Sequence, residues 1–118
     1  MVVRRDNRQK IPVSLDNLNS AIDAILQDVQ EDLYKKALDF QKANTYHIDD
    51  YEEFKKLQEE KNGFIQAYWC GSAECEEKVK NETKATIRNI PFDQKQEKGK
   101  CISCGKNSNG RVIFAKSY

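Results

Sequence analysis

From Ser14 onward the chain carries Leu18, Ile22, Ile25, Val29, Leu33, Ala37 and Phe40 three or four positions apart, on a background of Asp, Glu, Lys and Gln. That spacing predicts one amphipathic helix of about 28 residues, with Ser14 as N-cap and Asp16 in its first turn. A stripe this long either packs within its own domain or docks on a neighbour. Ahead of it, Val2 and Val3 form a short β-branched pair. Arg4 to Asn7 read as a turn, and Ile11-Pro12-Val13 is extended. So short a strand does not stand alone, so residues 1–13 are expected to be the end of a larger domain and 14–43 a connecting helix.

Beyond Ala43 the period changes several times. Residues 44–48 (NTYHI) read as a first strand, and Asp49-Asp50 can cap a second helix that places Tyr51, Phe54 and Leu57 on one face. Asn62-Gly63 stops that helix, and 64–69 (FIQAYW) is a buried-looking strand. Residues 72–82 predict a third, short helix, 84–92 (KATIRNIPF) a strand stopped by Pro91, and 93–100 a polar, mobile loop. A turn at 107–110 leads to a last strand at 111–115. The expected fold is α+β, with a long N-terminal helix followed by a two-layer β-α-β-α-β-β domain over 44–118, its helices on one face of a small sheet.

Composition narrows the function classes. In 118 residues, 38% hydrophobic and 33% charged, with a mean hydropathy of −0.86, the core must be modest. No apolar run approaches membrane-spanning length and no signal peptide follows Met1, which leads to the expectation of a reducing, cytoplasmic setting. Net charge is only +1, but it is unevenly spread: 14–62 hold six basic against twelve acidic residues, and 84–118 hold eight basic against two acidic. The basic half could face phosphates or offset a negatively charged metal cluster. His47, the only histidine, has no visible partner and reads as structural.

Only four cysteines are present: Cys70 and Cys75 in WCGSAEC, and Cys101 and Cys104 in CISCG. Four thiolates brought together form the tetrahedral soft-ligand set of a closed structural zinc site, with no open position for chemistry. Cys70 falls at the end of a strand and Cys75 in the first turn of a helix, where the helix dipole favours a thiolate. Two disulfides would suit a secreted domain, but nothing routes the chain to that path. WCG at 69–71 resembles the start of a redox pair, but its partner Cys75 lies five residues past Cys70 rather than three. No Gly-rich phosphate loop and no nucleophile–base pair stands out, so the chain is not expected to catalyse anything alone.

With these elements placed, GFIQAYWCG, CEEKVKNETKATIRNIPF, GKCISCGK and the terminal FAKSY together resemble the C-terminal zinc-binding domain of prolyl-tRNA synthetases of the archaeal and eukaryotic type, also found in some bacteria. VVRRDN at the start resembles the last strand of the anticodon-binding domain of those enzymes. The resemblance implies a class II parent that joins proline to its tRNA through a prolyl-adenylate, using ATP and Mg²⁺. The parent is expected to be a cytoplasmic homodimer whose catalytic and anticodon-binding domains lie upstream. The resemblance further implies one Zn²⁺ on Cys70, Cys75, Cys101 and Cys104, and a terminal Tyr118 whose carboxylate reaches toward the parent's active site. The rival reading is a free-standing zinc module that binds nucleic acid through its basic half.

Overall fold

A computed structural model of the chain describes residues 1–117, which divide into two compact units, 1–43 and 44–117. In the first, β1 (Val2–Val3) pairs antiparallel with β2 (Lys10–Ile11), so the β-branched pair finds its partner in the extended run expected at Ile11. The hairpin is tied by Arg4, whose backbone N–H donates to Gln9 O at 2.9 Å. Its buried guanidinium donates to both carboxylate oxygens of Asp6, at 3.1 and 2.7 Å, and to Asp32 at 2.6 Å.

The predicted helix is present but begins differently. Ser14 caps a 3₁₀ turn, Leu15–Asn17, and α1 proper runs Leu18–Ala43. The larger departure concerns the stripe. No residue of α1 is buried; of the stripe, Leu33 is 50% and Phe40 70% exposed. A two-strand hairpin offers too little apolar surface to cover seven turns of helix, so the stripe has the right period without a core to enter.

The second unit is a four-stranded sheet ordered β3-β4-β8-β5, from β3 (Thr45–His47), β4 (Phe64–Tyr68), β5 (Ala85–Asn89) and β8 (Arg111–Lys116). β3 and β4 are parallel because α2 (Tyr51–Glu60) carries the chain across between them, while β8 runs antiparallel to both its neighbours. Registers Ile65↔Phe114, Ala67↔Val112 and Ile87↔Phe114 put these residues on one face. Phe54 of α2 and Val79 of α3 (Ala73–Thr83) join them in the core. Phe54 meets Phe114 edge-on, ring centres 5.3 Å apart, and both side chains are fully buried. Asp50 caps α2 as expected, accepting from Glu53 N–H at 2.9 Å.

Two details differ from the expected order. The strand predicted over 84–92 ends at Asn89, after a bulge between Ile87 and Asn89. Pro91 lacks the N–H needed to continue a ladder. A small ribbon, β6 (Gly99–Lys100) with β7 (Asn107–Ser108), brackets CISCG where only a loop and a turn were expected. No described helix is long and apolar enough to cross a membrane.

Candidate metal centre

The end of β4 and the ribbon β6–β7 bring the four cysteines together. Cys70 lies two residues past Tyr68, and Cys75 sits in the first turn of α3. Cys101 and Cys104 lie in the turn that β6 enters and β7 leaves. Backbone bonds lace the two knuckles to each other and close the second. Ile102 N–H donates to Tyr68 O at 2.9 Å, Cys101 N–H to Lys106 O at 2.8 Å, and Gly105 N–H to Cys101 O at 2.9 Å. The Ser108 hydroxyl donates to Trp69 O at 2.6 Å, and the Trp69 indole N–H to Ser72 O at 3.0 Å.

The two halves repeat one local device, Cys-Gly-Xaa with the glycine left-handed: Gly71 at φ 87° and Gly105 at φ 71°. That conformation, disfavoured for residues with a Cβ, turns the following N–H back onto the sulfur. The N–H of Ser72 faces Cys70 and that of Lys106 faces Cys104.

All four sulfurs lie within 4.8 Å of one another, and Cys70 Sγ is 3.7 Å from both Cys75 Sγ and Cys104 Sγ. Disulfide sulfurs stand about 2.05 Å apart, and all four cysteines are free thiols. A tetrahedral ion with metal–sulfur bonds of about 2.3 Å places its ligands about 3.8 Å apart, so the sulfur set has the dimensions of a metal-ion cage. Electrostatics point the same way. Burial is the main force raising the Cys70 and Cys75 thiols, with Cys75 pushed up to about 12 and its cysteine neighbours adding to the rise. Cys104 is brought down to about 7, first by the Lys106 N–H. Four thiolates this close repel one another, and a bound cation relieves that repulsion. Cys101 is buried, Cys70 and Cys75 are half-buried and Cys104 is exposed. Tyr118 lies outside the described residues.

One set of residues beside the cluster escaped the sequence reading. The loop at 93–100, expected to be mobile, is strapped to the sheet. The Gln94 amide donates to Arg111 O at 2.7 Å, Glu97 N–H donates to Asn109 O at 3.0 Å, and Glu97 Oε2 accepts from the Tyr68 hydroxyl at 3.1 Å. The trace left in the sequence was Gly99, where a Cβ would lie 2.4 Å from the Tyr68 ring.

The fold and the cluster define an α+β module with four cysteines positioned to hold a metal ion. The family model described as "Prolyl-tRNA synthetase, C-terminal" matches residues 51–118, and the chain belongs to that family. It is 48% identical over 117 residues to a proline–tRNA ligase of Cytophaga hutchinsonii, covering 99% of this chain and 24% of that protein. It is 41% identical over 118 residues to proline–tRNA ligase 2 of Bacillus cereus, covering all of this chain and 25% of that one. Among solved structures it is similar to a prolyl-tRNA synthetase of Cryptosporidium parvum complexed with L-proline and AMP. There the TM-score is 0.88 and the identity 30%, covering 98% of this chain and 25% of that one. The chain thus spans about a quarter of the length of the relatives it matches.

Proposed function

We propose that this chain is the C-terminal part of a proline–tRNA ligase, in which residues 44–118 form a module stapled by one zinc ion on Cys70, Cys75, Cys101 and Cys104. The observation that carries the reading is the four-sulfur cage at 3.7 Å spacing inside a domain of that family. Zinc suits four thiolates in tetrahedral array, and such a set leaves no ligand position for substrate. The ion's chemistry is structural: it ties the end of β4 and the start of α3 to the ribbon β6–β7. Residues 1–13 close an upstream anticodon-binding domain and 14–43 connect it to the module. The unburied stripe of α1 fits that role, since a helix with no core in its own unit needs apolar surface from elsewhere in the polypeptide.

Aminoacylation belongs to the longer protein, a cytoplasmic homodimer whose catalytic domain uses ATP and Mg²⁺ to join proline to its tRNA. The Tyr118 carboxylate reaches toward that active site. The test is the length and activity of the native polypeptide that carries GKCISCGK. A chain about four times longer than this one, charging tRNA with proline and holding one zinc per chain, is the expected result. A native chain that starts at Met1, has no ligase activity and binds RNA in a salt-dependent way overturns it in favour of a free-standing module.

A further inference from the structure

Arg111, the first residue of β8, gathers more partners than any other side chain near the cluster. Its guanidinium pairs with Asp49 at 2.7 Å and approaches Glu97 at 3.6 Å. It donates to Gln66 O at 3.2 Å and stacks over the Tyr68 ring at 4.1 Å. Its carbonyl accepts from Gln94. Glu97, in turn, is only four residues before Cys101. We propose that Arg111, acting through Glu97 and Tyr68, is a positioning residue for the metal centre, fixing where the second cysteine pair stands before the ion arrives. The proposal rests on the metal reading above.

The physical argument concerns chain entropy. Cys70 and Cys75 are placed by β4 and α3, both anchored in the core. Cys101 follows the connection that leaves β5 at Asn89, twelve residues earlier, and otherwise depends on the short ribbon β6–β7 and the Ile102 N–H bond to Tyr68 O. A connection of that length left free samples many positions, which the two-residue ribbon and the metal together would have to restrain. Anchoring Glu97 at Arg111 and Tyr68 leaves only four residues free, and the packing of Gly99 against Tyr68 restricts these further. Shortening a loop from twelve to four residues raises its closure probability about fivefold by the three-halves power law. Residues that orient metal ligands from outside the first shell typically change affinity about ten- to a hundredfold.

The experiment is a cobalt(II) titration of the whole chain, followed by zinc(II) competition against a chromophoric chelator. It uses wild type, Arg111→Met, Glu97→Ala and, as a control, Tyr51→Phe. Tyr51 donates to Glu82 between α2 and α3, so its variant perturbs the module away from the strap. The expected result is the visible spectrum of a tetrathiolate cobalt site in all four proteins, with affinity lowered at least fivefold in Arg111→Met and Glu97→Ala and unchanged in Tyr51→Phe. If Arg111→Met does not fold, Glu97→Ala decides, because that side chain is 44% exposed against 18% for Arg111. Wild-type affinity in both strap variants, or an equal loss in Tyr51→Phe, overturns the proposal. A wild-type chain that binds neither ion sinks the metal reading itself, before any variant is compared.

Discussion

The two units of this chain solve the problem of a small domain in opposite ways. Residues 44–117 hold every buried apolar side chain among the described residues: Phe54, Ile65, Ala67, Val79, Val112, Phe114 and their neighbours. Residues 1–43 bury one side chain, and it is an arginine. The second unit has a core and a four-sulfur cage at its edge. The first has a hairpin held by Arg4 and a helix none of whose residues is buried. Amphipathic period therefore shows that a helix needs a partner surface, and says nothing of whether that partner lies in the same stretch of chain. A closed ligand set is the reverse case. The four cysteines all lie in the second unit, which brings them together without help from the first.

The largest separation of the two units should come from the metal. Removing it with a chelator, or replacing Cys101 with Ser, is expected to loosen the second unit and leave the first as it was. A structural tetrathiolate zinc contributes on the order of 10 kcal/mol of apparent folding free energy in small zinc-binding peptides. This unit has a core of its own, so we expect a loss of several kcal/mol rather than complete unfolding. Residue-resolved amide exchange with metal analysis reads both halves at once. Protection should vanish over 99–108 and persist over 20–40. An unchanged melt with an unchanged metal content would show the four sulfurs to be idle.

How far these features were legible in the sequence follows from the range over which each is encoded. Helices α1, α2 and α3 were readable because apolar spacing and caps such as Asp50 are local. The cluster was readable because four cysteines in two pairs leave little else to assign. The ribbon β6–β7 was not, since two-residue strands carry no period. The strap at 93–100 was missed for a related reason. Gln, Lys and Glu there look like a solvated loop, and only the fold brings Arg111 and Tyr68 under them. The register of a long-range polar network is not written in any one segment. The helices and the gathering of the four cysteines were within reach of the sequence, while the residues strapped beside them were not.

A pair of substitutions sharpens the contrast at intermediate size. Phe54→Ala should cost about 3–5 kcal/mol in the second unit, because a fully buried ring set edge-on to Phe114 leaves a cavity that packed neighbours cannot fill. Leu33→Ser, in a stripe of similar hydrophobicity, should change the stability of this 118-residue chain by less than about 0.5 kcal/mol, because Leu33 is already 50% exposed. Denaturant titration of both variants checks the difference. A Leu33→Ser cost as large as that of Phe54→Ala would mean that the stripe is covered by a second copy of the chain.

The smallest expected effect lies in the first unit and is electrostatic. Asp6 is held below the usual carboxylate range, chiefly by the hydrogen bonds from the Arg4 side chain. A carboxylate whose folded value is depressed contributes stability that is fully present above its unfolded value, about 4, and is lost as pH falls through the folded value. The hairpin should therefore be indifferent to pH above about 5 and loosen progressively in acid, while Arg4 stays protonated throughout. The check is a carboxyl-carbon NMR titration of Asp6, followed alongside the amide of Arg8, which donates to Arg4 O at 3.0 Å. Both should move together at a pH below the ordinary aspartate value. Asp32→Asn should disturb them less than Asp6→Asn, because Asp32 accepts one bond from Arg4 where Asp6 accepts two. If Asp6 titrates as a free aspartate does, or the Arg8 amide ignores the transition, the arginine is not what holds this unit's hairpin.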